Sequence, residues 1–146
     1  MAYDKLNRLV TTTNAAQGQT IVHYDAAGNR TMQIDANTNP TTYSYDSLYR
    51  LSQTTDAEGQ STGTTYDALG NRLTSEDAET TITRFAYDTL NRLITTTQNY
   101  VDQGPVNNET NVTTIVSYDA LGRRTQMVDG RVRRPAMATI SWAAPS

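Results

Sequence analysis

The sequence predicts an all-β protein in which antiparallel β-hairpin repeats form one long curved sheet. Three observations carry this expectation. Tyr-Asp pairs recur at Tyr3-Asp4, Tyr24-Asp25, Tyr45-Asp46, Tyr66-Asp67, Tyr87-Asp88 and Tyr118-Asp119, so successive tyrosines lie 21, 21, 21, 21 and 31 residues apart. A fixed period of this size marks a repeat architecture. Between the pairs, short runs rich in Thr, Tyr, Val and Ile, which favour strands, are bounded by Gly, Asn, Asp and Pro clusters about every 8–12 residues. No helix of consequence is expected.

Each motif also carries an arginine, in two alternating forms. Arg8, Arg50 and Arg92 follow their tyrosines by five residues; Arg30, Arg72 and Arg124 follow theirs by six. The second form has Gly28, Gly70 and Gly122 in the turn, then one extra residue, Asn29, Asn71 or Arg123; the first has Asn7, Tyr49 and Asn91 where the glycine would fall. The unit read this way is a pair of motifs, 42 residues long.

In chain order, Tyr3 ends a strand that would begin before Met1, so the first hairpin is expected to be incomplete, and residues 9–13 return. Residues 15–19 turn, 20–24 lead out, 25–29 form the hairpin loop and 30–34 lead back; 35–40 turn again. The same alternation gives strands at 41–45 and 50–54, 61–66 and 72–75, 81–87 and 92–97, with far turns at 56–59 and 77–80. Residues 98–111, with Gly104-Pro105 and Asn107-Asn108, hold the ten-residue excess of the long spacing and read as an extended surface loop. Residues 113–118 and 124–128 complete the last hairpin. The repeat sheet thus spans 1–128, and 129–146 is a degenerate repeat or C-terminal tail, with Ile140-Ser141-Trp142 as a strand in which Trp replaces Tyr. Eleven or twelve strands at about 4.8 Å spacing give a sheet roughly 55 Å wide.

In the loops, Gly or Asn supplies φ > 0 where a hairpin needs it, and Tyr49 is the exception, expected to be strained or differently wound. The aspartate is expected to bind backbone N–H groups two residues on. The arginine is expected to pair with that aspartate or with loop carbonyls, and each tyrosine to pack on a following leucine, Tyr66 on Leu73 and Tyr87 on Leu93.

Composition sets the outer limits. The chain has 146 residues, of which 36% are hydrophobic, 18% charged and 26 are threonine. That is too strand-prone for disorder and too polar for a thick core. The net charge of −3 argues against nucleic acid as a partner. There is no cysteine, hence no disulfide or thiolate metal site. No apolar run reaches about 18 residues, so no transmembrane segment is expected, and the N-terminus does not read as a signal peptide.

The Tyr-Asp-x-x-Gly-Arg-like core at this spacing resembles the YD repeat of RHS-repeat proteins, over roughly residues 1–128. That family includes bacterial polymorphic toxins, shell subunits of insecticidal toxin complexes and animal teneurins. The resemblance implies a sheet that spirals into a hollow shell, often around a toxic C-terminal domain, and a secreted or cell-surface, bacterial setting; some members bind carbohydrate through their repeats. This chain has no match to the family's self-cleaving core segment, plug or toxin domain, and is too short to close a shell. It reads as a segment of a larger protein, with a short independent reading frame as the alternative.

Candidates for chemistry are sparse. A Tyr, Asp and Arg set repeated at fixed spacing is far more often scaffold than an acid–base site. His23 is the sole histidine, so no Ser-His-Asp triad or multi-histidine metal site can form around it. Asp56 with Glu58, and Glu76 with Asp77 and Glu79, could hold calcium, but lack the spaced ligand pattern; a turn-capping or solubilising role is the favoured reading. Asn108-Glu109-Thr110 and Asn111-Val112-Thr113 fit a glycosylation pattern that an Asn- and Thr-rich chain produces by chance. The basic run Arg131-Val132-Arg133-Arg134-Pro135 could contact an acidic partner, but a solvated terminal segment is the favoured reading. No catalytic, cofactor-binding or metal residue is therefore assigned, and no cofactor is expected. The expected function is structural: a shell or assembly module that associates with further RHS repeats, or with copies of itself, through open sheet edges, which are templates for pairing and on stacking head to tail give filaments. The alternative is a carbohydrate-binding surface module, and an enzyme is the weakest reading.

Overall fold

A computed structural model describes residues 1–101 and 110–130. They form twelve strands: β1 (Ala2–Tyr3), β2 (Leu9–Thr13), β3 (Gln19–Tyr24), β4 (Arg30–Ile34), β5 (Pro40–Tyr45), β6 (Leu51–Thr55), β7 (Ser61–Tyr66), β8 (Arg72–Glu76), β9 (Ile82–Tyr87), β10 (Leu93–Gln98), β11 (Val112–Tyr118) and β12 (Arg124–Asp129). They lie side by side in sequence order in a single antiparallel sheet, β1 at one edge and β12 at the other. Six hairpins, β1–β2 through β11–β12, follow from the six Tyr-Asp loops. These loops make one rim of the sheet, the near rim; the turns between hairpins make the far rim. Pro40 opens β5, the strand position where its missing N–H does least harm.

The all-β expectation holds strand by strand, with a systematic shift at two returns. β6 begins at Leu51 and β10 at Leu93, one residue later than expected, because Arg50 and Arg92 belong to the loops. The expected tail strand at 140–142, the basic run at 131–135 and the middle of the 98–111 insertion lie outside the described residues.

Among the described residues no side chain is fully buried. The sheet is a single layer, and its stability must come from many half-buried cross-strand pairs rather than a core, each pair contributing about 0.2–1 kcal/mol. Partners directly opposite share a face. Val22, Gln33 and Thr41 form one such row, and His23, Met32 and Thr42 a row on the other face. On that second face, hydroxyls join strands at Thr55 and Ser61 (2.8 Å), Thr65 and Thr74 (2.6 Å), and Thr97 and Thr113 (3.2 Å).

Every hairpin carries one bulge at the same place. Tyr24 opposes Arg30 while His23 opposes Met32, which leaves Thr31 unpaired. The same step leaves out Val10, Ser52, Leu73, Ile94 and Thr125. A bulge bends its strand and adds local twist, so six in register apply the same distortion along the near rim. Leu73 is therefore not opposite Tyr66; Arg72 is. The expected Tyr87–Leu93 pair does form.

Candidate functional site

The near rim is built from one loop used six times. The Tyr-Asp aspartate donates its N–H to the carbonyl four residues on and accepts, at its own carbonyl, the N–H three residues on, at 2.9–3.2 Å. The third residue after Asp has positive φ in every loop: Asn7, Gly28, Tyr49, Gly70, Asn91 and Gly122. The loops are thus equal in length, and there is no extra residue in alternate copies. Aligning the copies on arginine created an apparent insertion; aligning them on aspartate removes it. Arg8, Asn29, Arg50, Asn71, Arg92 and Arg123 are equivalent, and Arg30, Arg72 and Arg124 are the first residues of the return strands.

The aspartate side chain holds the loop closed. Its Oδ1 accepts the backbone N–H two residues on, at Leu6, Leu48, Leu69, Leu90 and Leu121 (2.9–3.0 Å). It also accepts the N–H four residues on, at Arg8, Asn29, Arg50, Asn71, Arg92 and Arg123 (2.8–2.9 Å). Oδ2 accepts from the side chain of that fourth residue: from Nε of Arg8, Arg50, Arg92 and Arg123 at 2.7 Å, or from Nδ2 of Asn29 and Asn71 at 2.9 Å. Donors to the charged form lower a carboxyl's pKa. The backbone N–H of the paired arginine, reinforced by its guanidinium, holds Asp4, Asp46, Asp88 and Asp119 below the usual carboxylate range. For Asp25 and Asp67 the amide side chain of Asn29 or Asn71 is the first cause.

The same residues join one hairpin to the next. The hydroxyls of Tyr24, Tyr45, Tyr66 and Tyr118 donate to the carbonyls of Leu9, Arg30, Leu51 and Leu93 in the preceding hairpin, at 2.9–3.0 Å. Arg8 and Arg50 each reach forward with Nη1 to the carbonyl of the next loop's aspartate, Asp25 (2.9 Å) or Asp67 (2.7 Å), and Arg92 to Asp119 at 3.4 Å. Their guanidinium groups lie over the rings of Tyr24, Tyr66 and Tyr118, at 4.6–4.7 Å from the centroids. Arg30 and Arg72, one residue further on, cover different rings, Tyr43 at 4.2 Å and Phe85 at 4.3 Å, each two residues before the next hairpin's motif tyrosine. The 42-residue unit is therefore an alternation of two arginine contacts on a constant loop.

The far rim uses the same backbone loop, and this series was missed in the sequence. Asn14, Asp35, Asp56 and Asp77 stand eleven residues after Tyr3, Tyr24, Tyr45 and Tyr66. Their Oδ1 atoms accept N–H groups two and four residues on, from Ala16 and Gly18, Asn37 and Asn39, Glu58 and Gln60, and Glu79 and Thr81. Gln17, Thr38, Gly59 and Thr80 supply the positive φ. The 21-residue spacing of Asx would have revealed it. Eleven after Tyr87 stands Gln98, whose longer side chain does not suit this closure, and it is there that the insertion leaves the sheet. Asn111 ties its ends: its Oδ1 accepts from Val101 N–H at 3.0 Å and its Nδ2 donates to the Val101 carbonyl at 3.3 Å.

The weak chemical candidates stay apart. His23 is an exposed strand residue facing Met32. Asp56 and Asp77 cap far-rim loops, as turn-capping required.

A family model for the RHS repeat matches residues 3–40, 24–61, 50–76 and 66–100. No curated protein sequence matches the chain. Among solved structures it is similar to TcdB2-TccC3 without the hypervariable C-terminal region, at 17% identity and a TM-score of 0.67 over 88% of this chain. It is also similar to the Photorhabdus luminescens Tc holotoxin pore carrying a TccC3 mutation, at 24% identity and a TM-score of 0.60 over 76%. The matches cover 7% and 5% of those two chains. Identities this low speak to the fold, an all-β hairpin sheet that these structures share. Together the overlapping family matches run without a gap from residue 3 to residue 100, and the chain belongs to the RHS-repeat family.

Proposed function

We propose that the chain is a structural module, part of the wall of a shell, whose sheet is continued at β1 and β12 by further repeats or by other copies of the chain. The observation that carries this is the open strand order: among the described residues, twelve strands in one row, with β1 and β12 each hydrogen-bonded on one side only. Edges of this kind recruit further strands. The six motifs then act as a scaffold and not as an enzyme, since each motif aspartate is used in closing its own loop and Arg8, Arg50 and Arg92 also brace the next. Its similarity to toxin-complex structures supports a place in a secreted bacterial assembly. Carbohydrate binding has less support: four motif tyrosines spend their hydroxyls on neighbouring carbonyls, and three of those lie under arginine.

The test is the solution mass of residues 1–146 by light scattering, with electron micrographs of the same sample. Regular particles or fibres well above the 16.1 kDa of one chain are expected. A monodisperse species at that mass with strand-type circular dichroism would show edges that protect themselves, and the reading would fail.

A further inference from the structure

The β12 edge carries side chains whose partners can be read from the five hairpin junctions inside the sheet. Where arginine stands four residues after the motif aspartate, as in Arg8, Arg50 and Arg92, it lies over the next hairpin's motif tyrosine. Where arginine opens the return strand, as in Arg30 and Arg72, it lies over a ring two residues before that tyrosine, Tyr43 or Phe85. The residues at that second place follow suit. It is aromatic in the hairpins that follow Arg30 and Arg72, and Val22, Thr64 or Val116 in the hairpins that follow Leu9, Leu51 and Leu93. Ring and arginine thus occur together, junction by junction.

The last hairpin has both arginines at once, Arg123 and Arg124. Arg123 pairs with Asp119 as its equivalents do, at 2.7 Å, yet its side chain is 74% exposed where Arg8, Arg50 and Arg92 are 25–29% exposed. Arg124 is exposed, and the whole of β12 with it. Among the described residues no ring lies under either guanidinium.

We propose that the β12 edge docks an RHS-type hairpin with a Tyr-Asp motif and a second aromatic residue two places before its tyrosine. Arg123 takes the motif tyrosine and the aspartate carbonyl beside it, and Arg124 takes the second ring. Hairpin three, with Tyr43 before Tyr45, is the pattern of such a partner. A second copy of this chain offers at β1 only half of it, Tyr3 with Met1 in the ring's place. The proposal rests on the edge-continuation reading above and adds a selection rule to it.

The experiment titrates the full chain, nitrogen-labelled, with a synthetic peptide of residues 35–56, and follows the β12 amides and the Arg124 Nε–H by NMR. A Tyr43→Thr peptide, which has the residue of hairpin four at that place, is run beside it. The expected result is saturable perturbation of β12 by both peptides, with the Tyr43→Thr peptide about three- to fivefold weaker, the size of one exposed cation–π contact. Arg124→Gln should weaken the parent peptide by the same factor, and the two changes together should cost no more than one, the mark of a direct pair. Equal binding of the two peptides to the full chain overturns the selection rule while edge continuation survives. No perturbation of β12 by either peptide overturns both.

Discussion

The two rims of the sheet share a backbone and differ in what they do with it. On both, an Asx side chain accepts N–H groups two and four residues on, and the residue between those two has positive φ. On the near rim every loop is locked by an arginine or asparagine on the second carboxyl oxygen, a lock that on the far rim Asp35 receives from Asn39 Nδ2 at 3.1 Å, and the near-rim loops are also braced to their neighbours by Tyr hydroxyls, Arg Nη1 and stacked rings. The near rim also presents Leu6, Leu48, Leu69, Leu90 and Leu121, each 59–78% exposed. At the same place on the far rim, two residues after the Asx, stand Ala16, Asn37, Glu58 and Glu79. Closing the loop takes two positions, an Asx and a residue that tolerates φ > 0, which leaves the remaining positions free. The near rim uses them to couple hairpins. The far rim leaves them open to variation, and there the long insertion sits.

Acid should have the largest effect, and Asp35 on the far rim, held below the usual carboxylate range by Asn39, shares it. The near rim depends on six carboxylates, Asp4, Asp25, Asp46, Asp67, Asp88 and Asp119, all with depressed pKa. A depressed folded-state pKa gives stability that is complete above the unfolded value of about 3.9 and is lost as pH falls through the folded values. Circular dichroism melts should therefore show a steady Tm from neutral pH down to about 5 and a steep fall below about 4. A fall centred between pH 6 and 7 would point to some group other than these.

A smaller effect separates coupling from closure. Tyr66→Phe keeps the loop and deletes only the hydroxyl that reaches the Leu51 carbonyl at 3.0 Å. It should cost about 1 kcal/mol in urea unfolding; an unchanged midpoint would mean that the tyrosine ladder does not hold the hairpins together. The smallest effect tests the loop itself. Tyr49 sits at φ 60 where Gly28, Gly70 and Gly122 stand in other loops. Tyr49→Gly should stabilise by about 0.5 kcal/mol, the relief of a left-handed residue less the entropy that glycine adds to the unfolded chain. Loss of stability would show that the Tyr49 side chain makes contacts worth more than its strain.

Much of this was legible because repetition amplifies weak local signals. The Tyr-Asp series located every hairpin, and the 31-residue spacing located the insertion between Tyr87 and Tyr118. What the sequence hid has physical reasons. Arginine is the most conspicuous residue in the motif, and aligning on it split one loop into two forms, whereas the backbone is organised by the aspartate. The far-rim series mixes Asn14 with Asp35, Asp56 and Asp77 and so does not catch the eye as a motif. The bulge residues Val10, Thr31, Ser52, Leu73, Ile94 and Thr125 share no chemistry, because a bulge is a property of pairing and not of a side chain. The Arg30–Tyr43 and Arg72–Phe85 contacts cross hairpins, yet both lie thirteen residues apart, a regularity visible in the sequence once the return strand is placed.

The central claim is that identical loops do unequal work on the two rims, and paired substitutions test it most directly. Asp46→Ala removes the acceptor for Leu48 and Arg50 N–H, and also the anchor of the Arg50 side chain that bridges to Asp67. Asp56→Ala removes only the acceptor for Glu58 and Gln60 N–H. Thermal unfolding of the two variants beside the parent chain should give a Tm drop for Asp46→Ala roughly twice that for Asp56→Ala, in keeping with the number of bonds lost. Equal drops, or a larger one for Asp56→Ala, would contradict the account.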